Sequence, residues 1–160
     1  MLKLCYCCLI PMLLIMSCDA LRKKPAVIGT WKSTYQIEHL AGDLHMTLTL
    51  RSDRYFTLER EFYPEAVQEG KKVGLHVMLT EKGRYRHRDD ELVLQVKDLK
   101  IEPQNETSHT FMQERPEYDF GLSLYQSERY HLSVDSLTSH MMKLTDLTQN
   151  SDIIIFRKKK

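Results

Sequence analysis

Apolar and polar side chains alternate with period two from about residue 27 to the end of the chain, and this feature most narrows the folds open to it. Period two is the signature of a strand with one face buried, whereas an amphipathic helix would repeat every three to four residues. Leu44, Met46, Leu48 and Leu50 point one way and His45, Thr47 and Thr49 the other. Ser52-Asp53 reads as a two-residue link into a strand from Tyr55 to Phe62, a tight hairpin in which Phe56, Leu58 and Phe62 share a face with Arg60. Val73 to Thr80 carries Leu75, Val77 and Leu79 in phase, and Gly83 to His87 follows. Arg88-Asp89-Asp90 reads as a turn before Leu92, Leu94 and Val96. After Asp98 the apolar phase moves to Leu99 and Ile101, a one-residue shift that predicts a β-bulge.

Residues 102–117 are polar, carry Pro103 and Pro116 and have no sustained period, so they read as the longest loop. Tyr118-Phe120-Leu122-Leu124, Tyr130-Leu132-Val134, Met142-Leu144 and Ile153-Ile155 then supply the closing strands. No convincing amphipathic helix interrupts them. About eight to ten short strands at regular spacing predict an all-β domain, a single antiparallel β-barrel, since closure removes exposed edges. A barrel of about eight strands is either filled by side chains or holds one small ligand.

The N-terminal stretch has a different character. Leu4 to Met16 carry no charge, follow Lys3 and are interrupted only by Pro11, the layout of a secretory signal. The run is shorter than the roughly 20 residues that span a bilayer, and Asp19, Arg22, Lys23 and Lys24 close it off. Ile15-Met16-Ser17-Cys18 resembles the lipobox of bacterial lipoproteins. That resemblance implies cleavage before Cys18 and attachment of a diacylglyceryl group to its sulfur, the thiolate being the nucleophile that can take a lipid as a thioether. With a second, palmitate-type acyl chain on the new N-terminus the anchor would be stable. It also implies a cell-envelope location, and Asp19, directly after the Cys, resembles the signal for retention at the inner membrane, with the outer membrane as the alternative. The other reading of this stretch is an ordinary cleaved signal, with Ala20 before the cut and Cys18 discarded. The expected organisation is therefore a signal peptide over 1–17, a lipidated Cys and short tether over 18–25, and the barrel over 26–160.

Cys5, Cys7, Cys8 and Cys18 are the four cysteines, so the body has no disulfide framework. Removal of residues 1–17 leaves 143 of the 160, enough for one domain with a proper core. It also leaves 22 basic against 22 acidic residues, which gives no electrostatic case for a nucleic-acid binder. Lys158-Lys159-Lys160 is a small basic tail, read as a solvated end unless tethering brings it to lipid headgroups.

Gly29-Thr30-Trp31, Leu48-Thr49-Leu50-Arg51-Ser52-Asp53-Arg54-Tyr55-Phe56, Gly83-Arg84-Tyr85, Leu92-Val93-Leu94 and the terminal Ile155-Phe156-Arg157 resemble, in order and spacing, the lipocalin-like domains of small bacterial lipoproteins. The resemblance runs over most of residues 27–157. It implies that the Gly29-x-Trp31 motif places Trp31 across the closed end of the barrel with Arg157 packed on its ring, a structural cation–π contact. The chain departs from the family in being shorter and in showing no helix before its last strand. Copper-homeostasis and envelope-stress lipoproteins also carry small barrels, but their Cys-x-x-Cys pair is missing from this body, which excludes metal handling by that route.

Catalytic and metal chemistry find no support. His39, His45, His76, His87, His109, His131 and His140 show no helical or zinc-type spacing, although His45 and His76 can lie on adjacent strands. Ser133, Ser136, His131 and Asp135 supply the letters of a triad without a nucleophile elbow, and Asn105-Glu106-Thr107 is a chance sequon in a bacterial setting. Neither a cofactor nor an enzymatic activity is expected. Arg60 stands out, because an isolated charge on an apolar face is costly. It pairs with a Glu of the next strand or sits at the barrel mouth, or it binds the head group of a ligand beside Tyr55 or Tyr85.

Two functions follow from these features. One is a membrane-tethered barrel that holds a small hydrophobic or amphipathic molecule, with Arg60, Tyr85, Phe56 and Phe120 lining the site and the 102–117 loop covering the mouth. The other is a filled barrel whose loops bind another envelope protein, with Phe111 and Met112 as the contact. A cavity of about 300 Å³ or more favours the first and a filled core the second.

Overall fold

A computed structural model describes residues 26–36, 43–68, 70–116, 127–148 and 152–159. The apolar N-terminal run, Cys18 and the tether lie outside the described residues, as do His39, Tyr118, Phe120, Leu122 and Leu124.

The elements run β1 (Gly29–Gln36), β2 (Asp43–Leu50), β3 (Tyr55–Phe62), β4 (Glu65–Gln68), β5 (Lys71–Gly74), β6 (Val77–Arg88), β7 (Glu91–Pro103), α1 (Glu106–Glu114), β8 (Arg129–Leu137), β9 (Met141–Asp146) and β10 (Ile153–Lys158). Eight of the strands close a barrel in the order β1-β10-β9-β8-β7-β6-β3-β2, and β4 and β5 form a separate hairpin inserted between β3 and β6. Every barrel ladder is antiparallel. The connectivity is that of an up-and-down barrel, the class to which lipocalins belong.

Alternation explains which side chains fill it. Leu48, Phe56, Leu79, Leu92, Met142 and Leu144 come from five strands, and none is more than 1 % exposed. The predicted bulge is present: Lys82 pairs with Asp98 and Gly83 with Val96, so Lys97 is the extra residue on β7. It keeps both Leu94 and Ile101 on the inner face, which a regular strand could not do.

Four details differ from the expectations. The β2–β3 connection spans residues 51–54 rather than two, closed by Arg54 N–H to Arg51 O at 3.2 Å and Arg51 N–H to Tyr55 O at 2.9 Å, with Asp53 accepting from Arg51 and Tyr55. The Val73–Thr80 run is broken after Gly74, and the second half continues unbroken through Gly83 to Arg88. On β10 the inward residues are Ile154 and Phe156, while Ile153 and Ile155 are about half exposed; three consecutive isoleucines cannot reveal their own phase. The stretch read as the longest loop is the end of β7 followed by α1. Asn105 caps this helix by accepting from Ser108 N–H at 2.8 Å, and Glu106 lies in its first turn, a start signal hidden by the shortness of the helix. Phe111 is buried in the core and Met112 packs against it, so neither forms an exposed contact.

The two barrel ends are unlike. At one, short turns at 51–54, 89–90 and 138–140 meet the start of β1 and the end of β10. At the other lie the β4–β5 hairpin and α1, with the end of β1 and the start of β2. Trp31 closes the first end. It is fully buried, its indole N–H donates to Val27 O at 2.7 Å, and a cation lies over its ring. The cation is Lys158, with Nζ 5.0 Å from the ring centroid, and not Arg157, which is exposed. Lys158 stands opposite Trp31 in the β1–β10 register, whereas Arg157 pairs with Lys32 and points outward. Gly29 makes room for it: a Cβ there would come within 2.7 Å of Lys158 Cε, and its φ of +140° suits glycine.

Candidate functional site

Halfway up the barrel the apolar filling is interrupted by a buried polar group. Register sets Arg60 opposite Leu79 and Leu58 opposite Glu81. Arg60 and Glu81 are therefore diagonal neighbours on the inner face, a distance that a long side chain can bridge. Arg60 Nη1 donates to Glu81 Oε2. Tyr130 Oη, from β8, donates to Glu81 Oε1 at 2.7 Å and accepts from Ser127 N–H at 3.0 Å. The guanidinium carbon stands 5.2 Å from the Tyr130 ring centroid. Arg60, Glu81 and Tyr130 are 7, 1 and 3 % exposed. Among the described residues no buried side-chain nitrogen or oxygen lacks a partner.

Arg60 thus pairs with a Glu of the next strand, one of the arrangements its sequence position allowed. Its aromatic neighbour is Tyr130, not Tyr55 or Tyr85. Tyr55 lies on the outside beneath Arg84, whose guanidinium is 5.0 Å from its ring centroid. Tyr85 donates from Oη to Arg51 O at 2.7 Å near the closed end, and Phe56 packs fully buried opposite Gly83. Both belong to the filled part of the barrel. Glu81 and Tyr130 were legible: Glu81 continues the phase of Val77 and Leu79, and Tyr130 that of Leu132.

Burial pushes the Glu81 carboxyl above the usual carboxylate range, and Arg60 and Tyr130 pull it only part of the way back; burial also pushes the Tyr130 phenol up. A carboxyl that holds its proton to higher pH when folded makes the native state the better proton binder. Its stabilising contribution is then complete below the ordinary Glu value of 4.5 and is lost as pH rises through the raised value. In denaturation series from about pH 4 to pH 7, the wild type is expected to lose stability relative to Glu81→Gln, which cannot titrate. A gap that stays flat, or moves in favour of the wild type, contradicts the assigned direction.

Above this group the described part of the wall is shorter on one side. β7 has 13 residues, but its ladder with β8 runs only from Glu91↔Ser133 to Gln95↔Arg129, extended by Val96 N–H to Glu128 O at 2.9 Å. Leu99 is opposite Glu81 and so belongs to the inner face, yet it is 41 % exposed. Ile101 and Ile154 are also only partly buried. The β1–β10 ladder is likewise short, covering Trp31↔Lys158 and Lys32↔Arg157. Toward β6, in contrast, Phe111 and Leu75 complete the core, and Ser108 Oγ accepts from His76 N–H at 2.7 Å to hold α1 in place. The inner face is therefore stoppered on the α1 side, and among the described residues nothing pairs with β7 beyond Val96 on its β8 side.

A second concavity, about 310 Å³, lies on the outside of β1, β2, β3 and β6, where Lys32, His45, Glu59, Glu61 and Met78 surround it. Tyr63 closes one side, its ring stacked on His76 at 4.5 Å and meeting His45 edge-on at 5.9 Å. His76 Nε2 is 2.7 Å from Glu61 Oε1. The two histidines do converge, through Tyr63, but among the described residues no group of three His, Cys, Asp or Glu is placed to hold a metal ion. The groove can take a small polar molecule; its lining offers no enclosed apolar space.

No family model matches the sequence, and no curated protein matches it. Eight solved chains are similar to it. One of them is Japanin from Rhipicephalus appendiculatus bound to cholesterol, at 10 % identity over 86 % of this chain and 78 % of that one, with a TM-score of 0.40.

Proposed function

We propose that the protein is a binding barrel for a small amphipathic molecule, taken at the end where the strand connections are long. The apolar part would lie against Leu99, Ile101 and Ile154, and the polar part would reach toward Arg60, Glu81 and Tyr130. The observation that carries this reading is the ion pair itself. Two charges in a barrel interior are retained at a cost in stability, and hydrophobic residues of similar volume would serve a purely structural barrel at least as well. Its place directly behind the half-exposed Leu99 puts charge where an entering molecule would meet it. The reading includes an N-terminal lipid anchor on Cys18 and residence in a bacterial cell envelope.

A second reading draws on the filling below the ion pair. A barrel solid over that length also suits an interaction module, with the β4–β5 hairpin, where Val67 is 61 % exposed, as the contact in place of Phe111 and Met112.

Native mass spectrometry separates the two. Residues 19–160, exposed to an envelope extract and repurified, are expected to carry an extra mass in the small-molecule range that a doubly substituted Arg60→Leu/Glu81→Leu chain does not carry. A bare monomer, or one holding a protein, overturns the carrier reading.

A further inference from the structure

We infer that the closed end of the barrel is a docking surface for an anionic lipid membrane. The whole chain is nearly neutral, at +1, but its charge is not evenly spread. The turns at 51–54 and 89–90 and their flanks carry Arg51, Arg54, Arg84, Arg86 and Arg88, and β10 brings Arg157, Lys158 and Lys159 to the same end. Five carboxylates, Asp53, Asp89, Asp90, Glu91 and Asp135, stand against these eight cations and Lys143. The opposite end leans the other way, with Asp43, Glu61, Glu65, Glu102, Glu106, Glu114, Glu128, Asp146 and Asp152 against Lys71, Lys72, Lys100, Arg115 and Arg129 among the described residues. Among the described residues the basic excess thus lies at the closed end and the acidic excess at the other.

Local pairing does not cancel the basic end. Arg51 meets Asp53 at 2.5 Å, Arg86 meets Glu91 at 3.7 Å and Arg88 meets Asp89 at 3.7 Å. Arg54, Arg157 and Lys159 are exposed and have no ion pair among the described residues.

Two features favour a membrane over another polyanion. Tyr55 and Ile28, each 43 % exposed, stand at this end, and an amphipathic ring and an aliphatic side chain beside cations are what the headgroup boundary accepts. The chain also enters the barrel here: Arg22-Lys23-Lys24 and the apolar run before them precede the first described residue, so anything that holds the N-terminal stretch at a bilayer holds this end toward it. The end that carries the β4–β5 hairpin and α1 then points away from the membrane. The charge argument stands without the lipid anchor and without the carrier reading.

Residues 19–160 contain every strand of the closed barrel and lack Cys18, so they test binding without a lipid anchor, and substitutions confined to the barrel separate its surface from Arg22-Lys23-Lys24. Sedimentation with vesicles of phosphatidylcholine containing 30 % phosphatidylglycerol, at about 50 mM salt where the Debye length exceeds 10 Å, is expected to show binding at least tenfold above that to pure phosphatidylcholine. Each cation near an anionic surface contributes roughly fivefold to partitioning. The triple substitution Arg54→Gln/Arg157→Gln/Lys159→Gln should therefore lower binding on the order of 100-fold while leaving the melting temperature of the barrel in place. The inference is overturned by no binding, by equal binding to both vesicles, by binding that the triple substitution leaves intact, or by tighter binding to duplex DNA than to the anionic vesicles.

Discussion

Arg60→Leu is expected to destabilise the barrel by about 3–5 kcal/mol at neutral pH, read from the midpoint of chemical denaturation. The loss is larger than that of one hydrogen bond because of what is left behind. Glu81 is 1 % exposed and would keep only Tyr130 as a donor, so it must either remain charged in an apolar interior or take up a proton. Burial already holds its carboxyl high, and removal of the guanidinium raises it further. The variant should therefore recover part of its stability as pH is lowered toward 4, where protonation carries little cost. Replacement of both partners, Arg60→Leu/Glu81→Leu, removes the uncompensated charge. It is expected to return to within about 1 kcal/mol of the wild type or to exceed it, as buried ion pairs commonly do when replaced by apolar residues. Tyr130 Oη still accepts from Ser127 N–H, and the loss of Glu81 as the acceptor for its O–H is what limits the gain of the double variant. A single-variant loss below about 1 kcal/mol would mean that water reaches the pair and that the interior is not dry at this level. The double variant also serves the functional question, since it removes the polar anchor from a barrel that still folds.

The sequence made the barrel legible for a definite reason: one face of each strand meets a closed core, so period two survives wherever a strand is half-buried. β2, β3 and β8 follow their expected phase, and even the bulge at Lys97 could be read from the slip between Val96 and Leu99. Three kinds of information were hidden. A run apolar on both faces, Ile153-Ile154-Ile155, has no phase, and only closure against β1 and β9 decides that Ile154 faces in. A nine-residue helix offers little more than two turns of pattern, so α1 was masked by its polar residues, and its cap, Asn105, looked like part of a sequon. Choice between neighbouring cations depends on register: Arg157 and Lys158 are equivalent in the sequence, and one residue of offset on β10 puts Lys158 over Trp31.

The candidate site divides in the same way. Arg60 was conspicuous because it breaks an apolar phase, and the same test applied to β6 picks out Glu81 after Val77 and Leu79. That they meet each other, with Tyr130 completing the group, is set by the pairing of β3 with β6 across an inserted hairpin, a long-range fact that no local pattern contains. The basic end is equally scattered in the sequence. Arg51, Arg84 and Arg157 are far apart along the chain and come together because the up-and-down connectivity returns every second strand end to the same side.

Gly83→Ala is expected to be the most damaging single methyl group that can be added to the barrel, at about 3 kcal/mol or more, with loss of the cooperative transition as the extreme outcome. Gly83 is buried on β6 at the point where the bulge on β7 shifts the register. A Cβ built there would collide with the carbonyl oxygen of Gln95, stand 2.9 Å from that residue's carbonyl carbon, and lie 2.9 Å from the Phe56 ring. The carbonyl is backbone and belongs to the ladder that joins β6 to β7, so it cannot move aside without breaking that pairing. Phe56 is 1 % exposed and has no room to retreat. Gly74 provides the internal comparison: a Cβ there meets nothing within 4 Å and its φ is ordinary, so Gly74→Ala should change stability by no more than about 0.5 kcal/mol. The two substitutions add the same atoms to the same chain, and only the packing around them differs. If Gly83→Ala unfolds at the same denaturant concentration as Gly74→Ala, the close approach of β6 and β7 at the bulge is not a property of the folded protein.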